Sequence, residues 1–501
     1  MGVTMSQRKI GVFLSYVNIV VKNLSTVLYT PFLIRSLGQT NYGLYQMTTS
    51  IMTMLFTLHL GFSAAYIKFY SKEDEDGIKR LNGIYMVIFF SLGILSIILG
   101  MILQKNVALI FGRTFNGAEL LTMKHLMTLL IINVSLTFPS VVFDCYISAK
   151  EEFTFLKSRE ILLNLAVPLV TVPFLFFTSN TVIVVAIQVV ITTIFLLWNI
   201  YFAYVKLGMR FWFNKLKLSL FKAIFVFSGF IFINEAVDMV NWNLPNVVLG
   251  IFSGPRDVSI YGVANQIKNV FISISTAIST IYIPHIYQIN KEKESTKKLN
   301  DLVVKLGNYQ YLAVCYIFGG FIVFGTYFIQ LWVGKGYEQA YIVGILLIIP
   351  LLTPLIQNVG MEIIRMKDLY KRVSYVYLTL ALINVLISVI FTQLFGLVGA
   401  VLGTFITMIL GNGLYINIYY TRVVALDMPR FWRRIMRVSV VPGGSILLLE
   451  AVMYFHPINN VLTFLIYGVL YTLTYLILFI WVDLTEQQRQ RMFTLITNKF
   501  K

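Results

Sequence analysis

Apolar residues run through this chain in stretches of about twenty or more, separated by short polar segments. A hydrocarbon core about 30 Å thick needs roughly 20 apolar residues of helix, and irregular backbone facing lipid leaves its polar groups unsatisfied. The pattern therefore predicts fourteen helices, at about 10–34, 43–68, 81–104, 121–148, 160–178, 182–205, 223–251, 259–286, 303–330, 339–364, 373–391, 398–420, 436–456 and 460–483. The segments between them are too short for a water-soluble domain. The first run, Ile10 to Ile34, is too long for a secretory core and has no small-residue cleavage site, so it is expected to be retained.

Composition agrees with an all-α integral membrane protein. Hydrophobic residues make up 58% and charged residues 12%, against about a quarter charged in ordinary globular domains. The 40 Lys and Arg are asymmetric: thirty lie in the two tails and near 70–80, 149–159, 206–222, 287–302, 365–372 and 421–437. The opposite loops hold only Arg35, Lys105, Arg113, Arg256 and Lys335. Short basic loops stay on the cytoplasmic side, so both termini are placed in the cytoplasm of a multi-pass protein. The net charge of +18, which in a soluble protein suggests nucleic acid, is here topology, and no nucleic-acid partner is expected. Basic segments such as Arg433, Arg434 and Arg437 are positioned for anionic membrane lipids. Cys145 and Cys315 fall inside predicted helices and are too few for a disulfide framework or a metal cluster.

A weak internal repeat is visible. Asn41-Tyr42-Gly43-Leu44-Tyr45-Gln46 resembles Ile260-Tyr261-Gly262-Val263-Ala264-Asn265-Gln266, with the Tyr-Gly pair offset by 219. Ala149-Lys150-Glu151-Glu152-Phe153 echoes Met366-Lys367-Asp368-Leu369-Tyr370 at 217, and Pro139 and Pro354 are 215 apart. Such an offset carries helix two onto helix eight and four onto ten, giving two six-helix lobes of one orientation, related by a pseudo-twofold along the membrane normal. The expected organisation is an N-lobe at 1–222, a C-lobe at 223–435, and helices thirteen and fourteen with a tail at 436–501.

The segments Thr30-Pro31-Phe32-Leu33-Ile34-Arg35-Ser36-Leu37-Gly38, Tyr42-Gly43-Leu44-Tyr45, Tyr261-Gly262 and Gly396-Leu397-Val398-Gly399-Ala400-Val401-Leu402-Gly403-Thr404 carry a family resemblance. With the helix count and the cytoplasmic termini, the chain resembles the prokaryotic polysaccharide transporters, or oligosaccharide-lipid flippases of the O-antigen type, in the multidrug/oligosaccharidyl-lipid/polysaccharide exporter superfamily. The resemblance implies a bacterial or archaeal cytoplasmic membrane, a polyprenyl-pyrophosphate-linked oligosaccharide as substrate, and polysaccharide polymerase and glycosyltransferases as partners. It also implies a cleft lined by helices one, two, seven and eight.

Charges inside the spans are read independently. A charge at the bilayer centre costs about 2.5 to 3.5 kcal/mol on insertion scales, so such residues face a cavity or a partner. Lys22 lies about twelve residues into helix one, roughly 18 Å along its axis. Glu235 lies at similar depth in helix seven, with Asp238 one turn further on, and Lys268 is deep in helix eight. Lys22 and Lys268 are candidates for phosphate oxygens, Asn234, Asn241 and Trp242 for sugar hydroxyls and ring faces, and Glu235 and Asp238 for coupling to a proton or sodium gradient. An ion pair between Lys22 and Asp238 or Glu235 that latches the lobes is the structural alternative.

No cofactor is expected and no enzyme motif is developed. A phosphate-binding glycine loop is missing, His59, His125, His285 and His456 give no helical metal pair, and Glu73-Asp74-Glu75-Asp76 reads as a solvated loop. Gly399 and Gly403 read as a close-packing motif. The rival functions are a multidrug or cation antiporter of the same superfamily, which favours an acidic cavity, and a membrane-embedded polysaccharide polymerase or ligase, which needs a larger outer loop than Lys105 to Leu120.

Overall fold

The computed structural model describes residues 2–214, 218–290, 294–484 and 486–490. Among them there is helix and connecting turn but no strand. Eleven helical stretches among the described residues are long and apolar enough to cross a membrane. Two of these are double: Ile10–Tyr70 turns at Gly38 (φ 77°, ψ 167°) and Tyr370–Val424 at Gly396 (φ 57°, ψ −130°). Both conformations exclude an ordinary side chain, which is why glycine stands there. Dividing these two and adding Leu218–Phe252 gives the fourteen predicted spans.

One of the sequence echoes reappears in the backbone. Glu151 (φ 63°) and Asp368 (φ 55°), 217 apart, are both left-handed residues closing a helix. Their turns carry matching hydrogen bonds: the Lys150 amide donates to Tyr146 O and the Glu152 amide to Ile147 O, as Lys367 does to Ile363 O and Leu369 to Ile364 O. Each is a left-handed helix cap that satisfies carbonyls the helix leaves open.

Two compact units are present, Met1–Gln266 with Val376–Thr404, and Ile267–Tyr375 with Phe405–Lys501. The first unit holds α1 (Gly2–Phe56), α2 (Leu60–Tyr70), α3 (Glu75–Lys105), α4 (Val107–Phe111), α5 (Gly117–Ala149), α6 (Phe153–Leu175), α7 (Thr181–Tyr201), α8 (Leu218–Phe252) and the start of α9 (Pro255–Ile289). Within it α1 packs along α6, α3 along α5, and α2 along α8. Glycines permit the approaches: a Cβ at Gly43 would overlap the Pro255 carbonyl, and one at Gly61 the Ser228 carbonyl. The repeated Tyr-Gly segments meet here, since Gln46 Nε2 and Gln266 Nε2 both donate to Tyr42 Oη, at 2.5 and 2.6 Å. Thr30 Oγ1 donates to Gln266 Oε1 at 2.6 Å and completes the cluster.

The second unit holds the rest of α9, α10 (Ser295–Val333), α11 (Gln339–Ile356), α12 (Asn358–Met366), most of the remaining chain of α13 (Tyr370–Met408) beyond Thr404, α14 (Ile416–Tyr419), α15 (Met428–Val438), α16 (Val440–Phe455) and α17 (Val461–Val482). Its C-terminal helices are seated on α10 by tyrosines. Tyr471 Oη donates to Tyr316 O and Tyr475 Oη to Leu312 O, each at 2.7 Å, and Tyr316 Oη bonds Thr472 Oγ1 at 2.8 Å. α17 buries these hydroxyl-bearing rings and exposes Leu462, Val469 and Ile477. That is the reverse of a water-soluble helix, and it suits lipid as the solvent.

Three boundaries differ from the sequence reading. The fifth span starts at Phe153 rather than near 160, so Lys157, Arg159 and Glu160 ride inside a helix. The span expected at 339–364 is interrupted at Gln357 (φ −112°, ψ 11°), between α11 and α12. The segment 421–437, read as a loop, contains α15. Met428, Phe431, Ile435 and Val438 form its buried stripe, and Asp427 caps it by accepting from the Arg430 amide at 3.0 Å. Arg430 pairs with Asp301 at 2.7 Å and Arg434 with Asp483.

Candidate functional site

Lys22 is exposed and lines a cavity of about 350 Å³ inside the first unit. Its wall is built from three helices. Lys22, Ser25, Thr26 and Tyr29 recur on one face of α1 at three- to four-residue spacing, Tyr45 follows after the Gly38 turn, Asn164 and Pro168 come from α6, and Gln188 and Thr192 from α7. Pro168 has no N–H to give the Asn164 carbonyl one turn earlier, so that carbonyl lacks its usual intrahelical donor.

Polar groups continue away from this cavity in both directions. Asn164 Nδ2 donates to Asn18 Oδ1 at 2.9 Å, Asn18 Nδ2 donates to Glu160 Oε2 at 2.8 Å, and Lys157 Nζ pairs with the same carboxylate at 2.9 Å. On the other side Gln188 Nε2 donates to Tyr45 Oη at 3.0 Å. The hydroxyls of Tyr29, Thr49 and Thr171 are buried and close no hydrogen bond of ordinary geometry among the described residues. Thr171 and Thr49 lie behind the lining, beside Tyr29 and Tyr45 respectively. A second cavity in the same unit, about 460 Å³, has an apolar lining that includes Ile51, Met54, Leu99, Phe111 and Met127.

The other candidates are placed as follows. Lys268 belongs to the second unit and is 1% exposed. Glu235, Asn241 and Trp242 are half-buried on α8 in the first unit. Asn241 Oδ1 accepts from Asn384 Nδ2 at 2.9 Å, so its amide already ties α8 to the 376–404 segment. The side chains of Asn234 and Asp238 lie outside the described residues. Among the described residues no ion pair joins Lys22 to Glu235. Gly399 and Gly403 behave as read: each lets the two halves of α13 close on each other, against the Phe391 carbonyl and the Ser388 side chain. In the acidic segment, Asp74 caps α3 by accepting from the Gly77 amide at 2.7 Å and Asp76 pairs with Lys79 at 2.9 Å. Cys145 and Cys315 are free and buried.

The sequence reading ranked residues by formal charge and so passed over Tyr29, Tyr45, Asn164 and Gln188. A signal was available: Asn164 and Gln188 are lone amides in otherwise apolar runs, where a polar side chain needs a partner.

Comparison with known proteins gives three consistent results. The family model for polysaccharide biosynthesis proteins matches residues 9–290. A protein of Escherichia coli named "Putative O-antigen transporter" is 24% identical over 380 residues, spanning 74% of this chain and 86% of that protein. Among solved structures, the lipid II flippase MurJ in an inward closed conformation superposes with a TM-score of 0.70 at 15% identity, covering 94% of this chain and 97% of that one. The MATE multidrug transporter DinF-BH gives 0.61 at 15% identity, with 85% and 96% covered.

Proposed function

Because the chain belongs to the polysaccharide biosynthesis protein family, we propose that it is a flippase carrying polyprenyl-pyrophosphate-linked oligosaccharide from the cytoplasmic to the outer leaflet of a bacterial or archaeal cytoplasmic membrane. The observation that carries this reading is the Lys22 cavity, a cationic, hydroxyl- and amide-lined space within helices otherwise suited to lipid. An ammonium attracts phosphate oxygens, and the attraction grows as the effective dielectric falls from that of water toward that of the protein interior. The same wall repels a cationic drug, which disfavours the multidrug-export alternative.

In this reading residues 1–222 and 223–435 act as rocking lobes, with helices thirteen and fourteen appended at 436–501. Lys22 and Lys268 hold the pyrophosphate, Asn234, Asn241 and Trp242 contact the glycan, and Glu235 and Asp238 couple the cycle to a proton or sodium gradient. Glycosyltransferases supply the substrate and a polymerase consumes it on the far side.

The test is reconstitution into sealed vesicles with fluorescent lipid-linked oligosaccharide. The expected result is that a membrane-impermeant glycosidase in the medium gains access to substrate loaded on the inner leaflet only when the protein is present. Equal access in protein-free vesicles, or none with active protein, would remove the flippase reading.

A further inference from the structure

The larger cavity of the first unit, about 460 Å³, shares no residue with the Lys22 cavity. Ile51 and Met54 of α1, Leu99 of α3, Phe111 of α4, Met127 of α5 and Met239 of α8 stand on its wall, and every described residue there is apolar. A buried water needs about two to four polar partners, so water does not fill such a space. Protein interiors are packed as densely as organic crystals and hold few voids larger than a water molecule. The space suits an apolar occupant.

Close contacts at its margins show that it is framed rather than slack. A Cβ at Gly100 would overlap Ile131, and one at Gly250 would overlap Met47, so α3 fits tightly on α5 and α8 on α1. Thr114 Oγ1 donates to Gly250 O at 2.7 Å, next in sequence to the lining residue Ile251. Asn246 Nδ2 donates to Ser50 Oγ at 2.8 Å, next to the lining residues Val247 and Ile51.

Depth and access follow from the helices. Leu103 and Leu99 lie two and six residues from Lys105, which ends α3, while Ile251 and Met239 lie one and thirteen from Phe252, which ends α8. At 1.5 Å per residue the cavity reaches from these ends to about 20 Å along α8, more than half of a hydrocarbon core about 30 Å thick. The distribution of Lys and Arg assigns these ends to the outer face. Met127 is 1% exposed and Phe111 3%, whereas Leu99 is 36% exposed and shares a helix face with exposed Leu95, Ile98 and Ile102. The mouth is therefore at Leu99, on a side of α3 that suits lipid.

An apolar cavity of about 150 Å³ takes one benzene ring, so a space three times as large holds on the order of eighteen carbons. That is the size of one phospholipid acyl chain. Met54, Met127 and Met239 give the wall unbranched, polarizable side chains that adapt to a flexible occupant.

We propose that this cavity binds one acyl chain of an outer-leaflet phospholipid, which enters past Leu99 and runs inward towards Met239. The bound chain completes the packing of α8 against α1, α3 and α5. It requires a bilayer and no transport step, so the site is independent of the flippase reading.

The test uses the full chain in nanodiscs of phosphatidylethanolamine and phosphatidylglycerol, doped with a phospholipid that carries a diazirine near the methyl end of its palmitoyl chain. Photoadducts are located by peptide mass spectrometry. They are expected on Met127 or Phe111, which the surrounding lipid does not reach, as well as on exposed Leu462 and Val469 of α17. Val247→Phe fills the cavity from α8 and should abolish the adducts on Met127 and Phe111 while leaving those on α17 unchanged. Leu99→Trp narrows the mouth without altering the interior and should give the same selective loss, which covers a failure of the first variant to fold. Adducts confined to exposed residues, or adducts on Met127 and Phe111 that survive both substitutions, would overturn the proposal. Stronger labelling of those two residues by a polyprenyl phosphate bearing the same diazirine would also overturn it, by identifying a prenyl tail as the occupant.

Discussion

Lys22 and Lys268 are the same residue at similar depth in their predicted helices, and the two units house them in opposite ways. Lys22 is exposed beside a polar-lined cavity, whereas Lys268 is 1% exposed. Two turns along α9 from Lys268 the polar groups are also enclosed. Ser275 Oγ donates to Leu355 O at 2.6 Å, Asn358 Nδ2 donates to Ser275 Oγ at 3.0 Å, and Gln310 Nε2 donates to Ser275 O at 3.2 Å. A membrane helix can thus keep a polar side chain either by leaving space for a polar ligand or by closing protein around it. Insertion scales penalise both alike, so depth alone does not distinguish a binding site from a packed interior.

The largest expected effect breaks or upholds that contrast directly. Lys268→Ala deletes a fully buried side chain and should cost about 2–5 kcal/mol, as other large-to-small interior changes do. Lys22→Ala should change stability by less than about 0.5 kcal/mol, the usual range for exposed positions. Thermal unfolding of both variants in nanodiscs measures the difference; equal losses would mean that Lys22 is packed rather than open.

Amides should follow the same rule on a smaller scale. Gln310→Ala removes a 0%-exposed amide that donates to Ser275 O and empties its space, and should cost about 1–3 kcal/mol. Asn164→Ala, on the cavity wall, should cost about half as much or less, since water can replace the lost amide. Urea or heat unfolding followed by intrinsic fluorescence resolves the two, and a larger loss at Asn164 would contradict a hydrated cavity.

The smallest effect sharpens where the boundary between the two modes runs. Asn241 and Asn384 are both in the first unit yet bond each other directly at 2.9 Å. A double-mutant cycle through Asn241→Ala and Asn384→Ala should give a coupling of about 0.6 kcal/mol, the average for interhelical bonds in membranes. No coupling would show that Asn241 is free for ligand, as its place among the sequence candidates supposed.

Much of the architecture was legible because apolar runs leave a membrane chain few choices. The fourteen spans and the echo linking Glu151 to Asp368 reappear in the backbone, whereas the turns at Gly38 and Gly396 are seen only in the structure. α15 is legible in the sequence through Met428, Phe431, Ile435 and Val438 on one helical face, but the arginines between them give the segment the composition of a basic loop. The break at Gln357 had only a nearby Pro354 as its signal, and Pro139 stands in α5 with no comparable interruption.

The sequence by itself determined that this chain is helical and membrane-spanning, because lipid forbids unsatisfied backbone and only long apolar helices meet that condition. It also determined which side chains carry charge at depth. Tertiary structure decided which of those side chains has space beside it. The Lys22 cavity draws on Tyr29, Tyr45, Asn164 and Gln188, from segments more than a hundred residues apart, and their convergence follows from the packing of α1 on α6 and α6 on α7. Helical periodicity gives each face separately; which faces turn toward one another is set by packing across the whole unit.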